Sequence, residues 1–387
     1  MGMLISCAPL ALIVLAVVFR KRWLVWGGLA LVLAFPLTLG GLSFYDWWTK
    51  GRFAKLENRV DWDEFEPFAP TNRLAAATAD AAFLFATNEP IPSVKCVCAL
   101  ETVDVKTGAR TVVKSFSRKV EAPNWTRDGR YLVYNSGGRL WRVPAAGGEE
   151  EPVDTGFCTR CNNDHVLSFD GRYVAVSHDE KGWGQSQVYV IPLDGSAAPR
   201  LVTPNTRCYL HGWSPDGKTF AYCAMRDADP KGDVYSIPSS GGEERRLTDA
   251  PGLDDGPEYS PDGRHIWFCS VRSGLMQIWR MNADGTGQTQ MTDEKERNCW
   301  FPHVSPDGRL VAYIAYRKGD LEPGEHLAGK HVELRIMPAE GGEALTVARL
   351  YGGQGTINVN SWSPDSGNIA FVSYAEPDDD APSDPDR

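Results

Sequence analysis

The sequence predicts an all-β protein, a six-bladed β-propeller that is preceded by one or two membrane-spanning helices. Two observations predict this class. A turn motif recurs six times between residues 125 and 366, and two uncharged apolar runs lie within the first 45 residues. The 38 Gly and 26 Pro residues among 387 agree with this class, because many short strands joined by tight turns need them.

The recurring turn has the form Ser-Pro-Asp-Gly or a close variant of it. Pro presets φ in such a turn, Asp bonds to nearby backbone, and Gly accepts positive φ. Successive turn aspartates are 42, 46, 46, 45 and 58 residues apart, and a four-stranded blade takes roughly 40–50 residues. We therefore predict a structural role for the six aspartates, which are Asp128, Asp170, Asp216, Asp262, Asp307 and Asp365.

Each unit has the same order of predicted strands. An apolar strand leads into the turn, and a second strand follows it, as in residues 131–134. A third strand alternates bulky and aliphatic residues with period two, as in Trp141 and Val143, which is typical of a strand with one buried face. A Gly-rich turn and a short fourth strand, such as residues 247–248, complete most units.

The sixth unit stops after its second strand, and its missing half lies at the other end of the repeats. Residues 103–105, a turn at 106–108 and residues 111–113 supply a third and a fourth strand. Pairing two strands from each end closes the ring and removes free sheet edges. The sequence thus predicts six blades with 2+2 strand closure, and a seventh blade built from residues 72–88 stays open as an alternative.

The turn motif, together with third strands such as Ile-Trp-x-Met-x-x-x-Gly at residues 278–285, resembles the WD-like repeat of TolB-like and tricorn-type propellers. The resemblance covers residues 94–374 and implies the propeller fold. TolB proteins of this family have an extra α/β domain before the propeller and bind outer-membrane partners, whereas this chain has apolar segments and a linker there. The family also includes the propellers of S9-type peptidases, whose hydrolase domain would follow the propeller.

The first 45 residues are predicted to lie in a membrane. Residues 23–42 form an uncharged run of 20 residues, which is the length that crosses the hydrocarbon core, and residues 3–19 form a slightly shorter one. Arg20, Lys21 and Arg22 separate the two runs, and a cytoplasmic location of these residues would place the propeller outside. Four basic residues between 50 and 59 favour the opposite orientation.

These patterns divide the chain into four predicted parts. Residues 1–45 form a transmembrane helix or helical hairpin, and residues 46–93 form a juxtamembrane linker. Residues 94–374 form the propeller, and residues 375–387 form an acidic disordered tail. We predict an extracytoplasmic propeller, either periplasmic or at the cell surface.

The sequence lacks the motifs of common catalytic sites. It contains no Gly-x-Ser-x-Gly, no phosphate loop and no His-Glu-x-x-His. A formal net charge of −10 without a basic patch excludes a typical nucleic-acid partner. We predict a non-catalytic platform that binds a protein or a cell-envelope glycan, without cofactor or metal. The alternative is a metal-dependent enzyme, similar to sugar-cleaving propellers, whose channel histidines hold the metal.

Polar side chains recur four or five residues before the turn aspartates. Because first strands line the central channel of a propeller, these side chains are candidates for ligand binding. We expect them to reach the channel from the face that also carries the cysteines and the insertion at residues 318–331. The candidates are His165, His211, Glu258, His303 and Asn360.

Eight cysteines beyond the first 45 residues are predicted to share that face: Cys96, Cys98, Cys158, Cys161, Cys208, Cys223, Cys269 and Cys299. An even number in an extracytoplasmic domain favours disulfides. Buried free thiols are one alternative, and a zinc site formed by the first four is another. If Ser214 faces Gly217 across the turn, Cys208 and Cys223 lie directly opposite each other, which predicts a disulfide between them.

Overall fold

The computed structural model describes residues 98–376 apart from residues 183, 227 and 228. These residues form twenty-three β-strands and no α-helix. None of them belongs to a helix that is long and apolar enough to cross a membrane. The predicted membrane segment, the linker, the region of the alternative seventh blade and most of the acidic tail lie outside the described residues.

The strands form six sheets that correspond to the six units of the repeat. The chain begins with β1 (Cys98–Asp104) and β2 (Arg110–Phe116), which belong to the last blade. Blade 1 contains β3 (Glu121–Trp125), β4 (Tyr131–Ser136), β5 (Arg139–Pro144) and β6 (Glu151–Pro152). Blade 2 contains β7 (Cys161–Leu167), β8 (Tyr173–His178), β9 (Gln187–Pro192) and β10 (Arg200–Leu201).

The next three blades repeat this order. Blade 3 contains β11 (Cys208–Trp213), β12 (Thr219–Arg226), β13 (Asp229–Pro238) and β14 (Arg245–Arg246). Blade 4 contains β15 (Asp254–Tyr259), β16 (His265–Ser270), β17 (Gln277–Asn282) and β18 (Thr289–Gln290). Blade 5 contains β19 (Arg297–Val304), β20 (Leu310–Arg317), β21 (Ala328–Pro338) and β22 (Leu345–Gly353), and blade 6 adds β23 (Asn368–Tyr374).

Blade 6 combines the two ends of the propeller. β1 pairs antiparallel with β23, from Cys98 opposite Tyr374 to Asp104 opposite Asn368, and β2 forms the outer edge. Leu100 of β1 is fully buried. On the inner side, Trp362 bridges to Ile369 of β23. The predicted six blades and the 2+2 closure are therefore confirmed.

The first strand of each blade packs on the first strand of the next. β3 contacts β7, β7 contacts β11, β11 contacts β15, β15 contacts β19, and β23 contacts both β22 and β3. Large aromatic side chains fill the space between blades, and Trp267 and Trp300 are at most 2% exposed. The ring is thus closed by packing between blades, and the first strands surround a central channel.

The six turns share one hydrogen-bond pattern. In the third turn, the Ser214 hydroxyl donates to Asp216 Oδ1 at 2.7 Å and accepts from the Thr219 amide at 2.9 Å. The Lys218 amide donates to the same Asp216 oxygen at 3.1 Å. Hydrogen bonds to a carboxylate favour its charged form, and in the first turn the Thr126 hydroxyl and the Arg130 amide lower the pKa of Asp128 to about 2.

A β-bulge interrupts the first strand of each of blades 1 to 5, shortly before the turn. In three blades the residue six positions before the turn aspartate has positive φ, namely Ala122, Gly256 and Phe301. A bulge inserts residues that have no partner on the neighbouring strand and bends the strand. The side chains just beyond it are thereby directed differently from those of a regular strand.

The register of β11 and β12 makes the predicted disulfide wrong, because Ser214 faces Thr219 across the turn rather than Gly217. Two residues, Leu210 and Gly212, flank a register shift, so Cys208 lies opposite Ala224 and Cys223 lies opposite Tyr209. Adjacent residues of one strand point to opposite faces of the sheet, so the two thiols lie on opposite sides of blade 3. Cys208 and Cys223 are free thiols, and all seven described cysteines are buried.

Candidate binding site

A cavity of about 260 Å³ lies in the central channel where the six turns meet. The second residues of four turns surround its mouth, and they are Arg127, Phe169, Pro261 and Pro306. Its walls are apolar or aromatic and consist of Val166, Trp213, Tyr259 and Val304, and its floor is polar, with His211, Glu258 and Asn360. We call this space the turn-face cavity.

Three of the five predicted ligand residues therefore line one cavity, but the predicted face is wrong. Asn360 and His211 stand three residues before the Ser of their turns, and Glu258 stands two before. A strand rises about 3.3 Å per residue, so these side chains lie within about 10 Å of the turns. The cavity that they line consequently opens among the turns, and not at the face that was expected to carry the cysteines.

Glu258 is the centre of the floor. Its Oε1 accepts from the Val304 amide at 3.0 Å and from Asn360 Nδ2 at 2.7 Å, and its Oε2 lies 2.6 Å from His303 Nδ1. The residue is 7% exposed. Since three groups from blades 5 and 6 bond to one carboxylate of blade 4, the floor is held in a fixed geometry.

His303 lies behind the floor rather than in the cavity wall. Its Nε2 contacts the carbonyl of Ile357, and its own carbonyl accepts from Trp362 Nε1 at 2.9 Å. Both ring nitrogens thus have partners within the described residues. Because His303 is only 3% exposed and contacts Glu258 directly, it positions the Glu258 carboxylate rather than meeting a ligand itself.

His211 belongs to a buried cluster of charges below the cavity. Its Nε2 lies 3.4 Å from Asp255 Oδ1 and 4.0 Å from Asp164 Oδ1, and its Nδ1 lies 3.3 Å from the carbonyl oxygen of Asn358. Burial disfavours the charged ring, but the two carboxylates outweigh burial and raise the pKa of His211 to about 9. His211 is therefore a cation at neutral pH.

The pKa values of the two carboxyl groups next to His211 are shifted in opposite directions. Burial raises the pKa of Asp164 to about 7, although His211 acts against it. Burial has the same effect on Asp255, but the hydrogen bond and the charge of His211 lower the pKa of Asp255 below its usual range. His326, from the insertion in blade 5, lies 3.8 Å from Asp255 and packs on Trp300.

The sequence did not single out Asp164, Asp255 or His326. Asp164 and Asp255 lie at the bulge, where strand alternation does not predict the direction of a side chain. His326 was included only as part of the insertion. A signal was nevertheless present, because a buried carboxylate in a strand requires a nearby hydrogen-bond or charge partner.

His165 does not take part in this site. It is 0% exposed, and burial lowers its pKa to about 4, so the ring is neutral at neutral pH. Its neighbour Val166 lines the cavity instead. The expectation that His165 shares one surface with His211 and Glu258 is therefore wrong, because the strand alternates between the channel and the interior of the blade.

Arg127 is the exposed cation of the cavity mouth. Its guanidinium carbon lies 4.2 Å from the centre of the Phe169 ring. Among the described residues it has no hydrogen bond or ion pair, whereas Arg130 of the same turn bonds to Asp128 at 2.5 Å. Four of the six turns carry Pro at this position, so Arg127 and Phe169 are departures from the repeat in two neighbouring blades.

No group of three or more His, Cys, Asp or Glu side chains in residues 98–376, leaving out 183, 227 and 228, is arranged to hold a metal ion. Cys96 of the suggested zinc set lies outside this part of the chain. Cys158 and Cys161 are buried, and burial raises the pKa of Cys158 to about 12. Both are therefore thiols rather than thiolates at neutral pH.

The closed ring of four-stranded units with a shared turn defines a propeller of the WD-like repeat class. Residues 168–326 match the PD40 family, described as the TolB beta propeller domain. The chain is 45% identical over 277 residues to the uncharacterised protein Atu1656 of Agrobacterium fabrum, and the match covers 71% of this chain and 92% of that protein.

A solved structure described as a candidate TolB from Agrobacterium tumefaciens is 43% identical and superposes with a TM-score of 0.68. The superposition covers 72% of this chain and 98% of that one. The Tol-Pal system protein TolB of Francisella tularensis is 27% identical over 263 residues, and the chain spans about half of it, 56% of its length. The chain belongs to the TolB-like β-propeller family.

Proposed function

We propose that this chain is a non-catalytic, membrane-held platform that binds a partner protein through the turn-face cavity. The observation that carries this proposal is the cavity itself, which has an apolar wall, a rigid polar floor and an exposed cation at the mouth. Ligand sites in proteins combine these features. In this proposal the apolar segments before residue 46 hold the chain in the membrane and the propeller is extracytoplasmic.

The size of the cavity favours a protein partner over a glycan. Pockets that hold drug-sized molecules measure about 300–1,000 Å³. The turn-face cavity measures about 260 Å³, which suits one or two side chains of a partner better than a sugar chain. The curated relatives of Francisella tularensis are named as proteins of the Tol-Pal system, which supports a role within a protein assembly.

The chemistry of the floor supports binding rather than catalysis. A general acid or base needs a free position from which it can exchange a proton with the substrate. The Glu258 carboxylate already accepts hydrogen bonds from Val304 and Asn360 and contacts His303, and the His211 nitrogens face Asp255 and Asn358. These groups therefore shape the cavity and set its charge.

Site-specific photocross-linking tests the proposal in the native membrane. p-Benzoylphenylalanine replaces Phe169 at the cavity mouth or, as a control, Leu345, which is 63% exposed on the outermost strand of blade 5. We expect a discrete cross-linked protein from position 169 and none from position 345. Adducts from position 345 together with none from position 169 would show that the partner binds elsewhere.

A further inference from the structure

We infer that the turn-face cavity recognises an acidic side chain of its partner, with Arg127 as the residue that binds the carboxylate. This inference rests on the proposed function and adds the chemistry of the group that enters the cavity. It comes from the contrast between two arginines of the same turn and from the hydrogen-bonding capacity that the cavity leaves unused.

Arg127 is prepared for a planar, bidentate acceptor. An arginine that stacks over an aromatic ring keeps its N–H donors directed outward in the plane of the guanidinium group. Arg127 stacks over Phe169 in this way, and its five donors have no acceptor among the described residues. A carboxylate matches two of those donors at once, which makes such pairs stronger than neutral hydrogen bonds.

Among the described residues, Glu258 is the one acidic residue that lines the cavity, and it acts on Arg127 through its charge but forms no hydrogen bond or ion pair with it. Glu258 is the acceptor on the floor, and both of its oxygens already have partners. The positive charge of His211 is compensated by Asp255 and Asp164 beside it, which leaves Arg127 as the uncompensated cation among the described residues of the cavity. The walls, which include Val166 and Tyr259, suit the aliphatic stem of a glutamate or aspartate.

The other basic residues of the turn face are not equivalent to Arg127. Five of them follow the turn glycines, and each lies within 3.6 Å of the aspartate of its own turn. Their charges are therefore locally compensated. Arg172 also lies over an aromatic ring, that of Tyr173, but at 5.8 Å rather than the 4.2 Å of Arg127 over Phe169. The five residues are Arg130, Arg172, Lys218, Arg264 and Arg309.

The test selects peptides on the full-length protein. A random twelve-residue display library is panned on the wild-type chain, after peptides that bind the Arg127→Gln variant have been removed from it. We expect one strongly enriched Glu or Asp position next to apolar residues. Enriched peptides without an acidic position, or a selection in which no peptide depends on Arg127, would overturn the inference.

One synthetic peptide from this selection is then measured by calorimetry. Replacing its acidic residue by the matching amide is expected to weaken binding at least tenfold to the wild type and less than twofold to Arg127→Gln. The peptide change and the protein change are thus coupled, as for two groups in direct contact. Equal losses on both proteins would contradict a direct contact.

Two control variants distinguish a direct contact with Arg127 from an effect of general surface charge. Arg130→Gln removes a paired arginine of the same turn, and its affinity for the peptide is expected to match that of the wild type. Arg127→Lys keeps the charge without the planar fork and is expected to lose part of the affinity. If Arg130→Gln weakens binding as much as Arg127→Gln does, surface charge accounts for the loss and the inference is wrong.

Competition by a small dicarboxylate distinguishes a polypeptide ligand from a small molecule. Sodium glutarate should fail to displace the peptide at millimolar concentration, because the inferred ligand is a side chain on a polypeptide. Displacement at micromolar glutarate would indicate a small-molecule site instead and overturn the inference. Peptides that block cross-linking from position 169 without needing an acidic residue would also overturn it, while leaving the proposed partner site intact.

Discussion

The six turns and the six first strands that lead into them differ in how strictly they repeat. In every turn, the Ser or Thr hydroxyl donates a hydrogen bond of 2.5–2.7 Å to the turn aspartate. Four residues before that aspartate, however, the six blades carry six different residues. They are Asn124, Val166, Gly212, Glu258, His303 and Ser361.

This difference separates the residues that build the propeller from those that give its channel a specific chemistry. A repeated residue in a repeated contact is needed in every blade for the same reason. A residue that occurs in only one blade, such as Glu258 or Arg127, breaks the symmetry of the ring. The turn-face cavity is lined mainly by residues of the second kind.

The largest expected effect is that of removing the centre of the floor. Glu258→Ala leaves His303, Asn360 and the Val304 amide without their buried acceptor. Each buried group left unsatisfied costs about 1–3 kcal/mol, so the three together cost about 3–5 kcal/mol or more. We expect urea denaturation to show a loss of that size, and Glu258→Gln to show a smaller one. A loss below about 1 kcal/mol for Glu258→Ala would mean that the floor contributes no more than an ordinary turn.

The next effect concerns pH. The folded-state pKa of His211, about 9, lies above its ordinary value of 6.5, so its protonation stabilises the fold fully below about pH 6.5 and that contribution is lost as pH rises through about 9. The contribution is on the order of 3 kcal/mol. We expect thermal midpoints of the wild type to fall from pH 6.5 to about 9.5, and those of His211→Asn to be lower at pH 6.5 and to change less.

His331→Asn is the matched control, because the His331 side chain is 44% exposed. Its midpoints should follow the pH dependence of the wild type. Asp164 also makes the protein less stable as pH rises, but at lower pH. Its folded-state pKa of about 7 exceeds the ordinary 3.8, so its contribution to stability is lost as pH rises through about 7. Equal slopes for the wild type and His211→Asn above pH 6.5 would contradict the buried ion cluster.

The smallest effects are expected in the turns, and they should be alike. When a turn serine becomes Ala, its hydrogen bond to the aspartate and at least one hydrogen bond from a backbone amide are lost, at about 1 kcal/mol. The five variants are Ser168→Ala, Ser214→Ala, Ser260→Ala, Ser305→Ala and Ser363→Ala. We expect free energies of unfolding that agree within about 0.5 kcal/mol, and a spread of several kcal/mol would remove the contrast with the first strands.

The sequence predicts the repeated part of the molecule well. The turn motif and the order of strands predicted six blades, and the unpaired half-unit at residues 103–113 predicted the pairing of β1 with β23. These predictions succeed because turn chemistry and period-two alternation are local properties. Three of the five candidate ligand residues, His211, Glu258 and Asn360, line the turn-face cavity, and the sequence marked them because they depart from an apolar strand. Ligand binding by them stays a prediction.

The other residues of the site were not predicted from the sequence, because no single residue type marks the bulge. Its positive-φ position is Ala122 in blade 1, Gly256 in blade 4 and Phe301 in blade 5. The pairing of Cys208 with Cys223 was wrong because the turn pairs Ser214 with Thr219 and the bulge then shifts the register by one residue, and such a shift exchanges the two faces of a strand. Arg127 was treated as a variant of the turn, although its missing partner becomes evident only in three dimensions.

Filling the turn-face cavity tests whether the partner protein binds there. Val166 lines the turn-face cavity, and Val112 on β2 is 41% exposed far from it in the blade that closes the ring. The affinity of the cross-linked partner is measured for the wild type, Val166→Phe and Val112→Phe. We expect at least tenfold weaker binding for Val166→Phe alone, with an unchanged thermal midpoint. Equal affinities of the three proteins would contradict partner binding in the cavity.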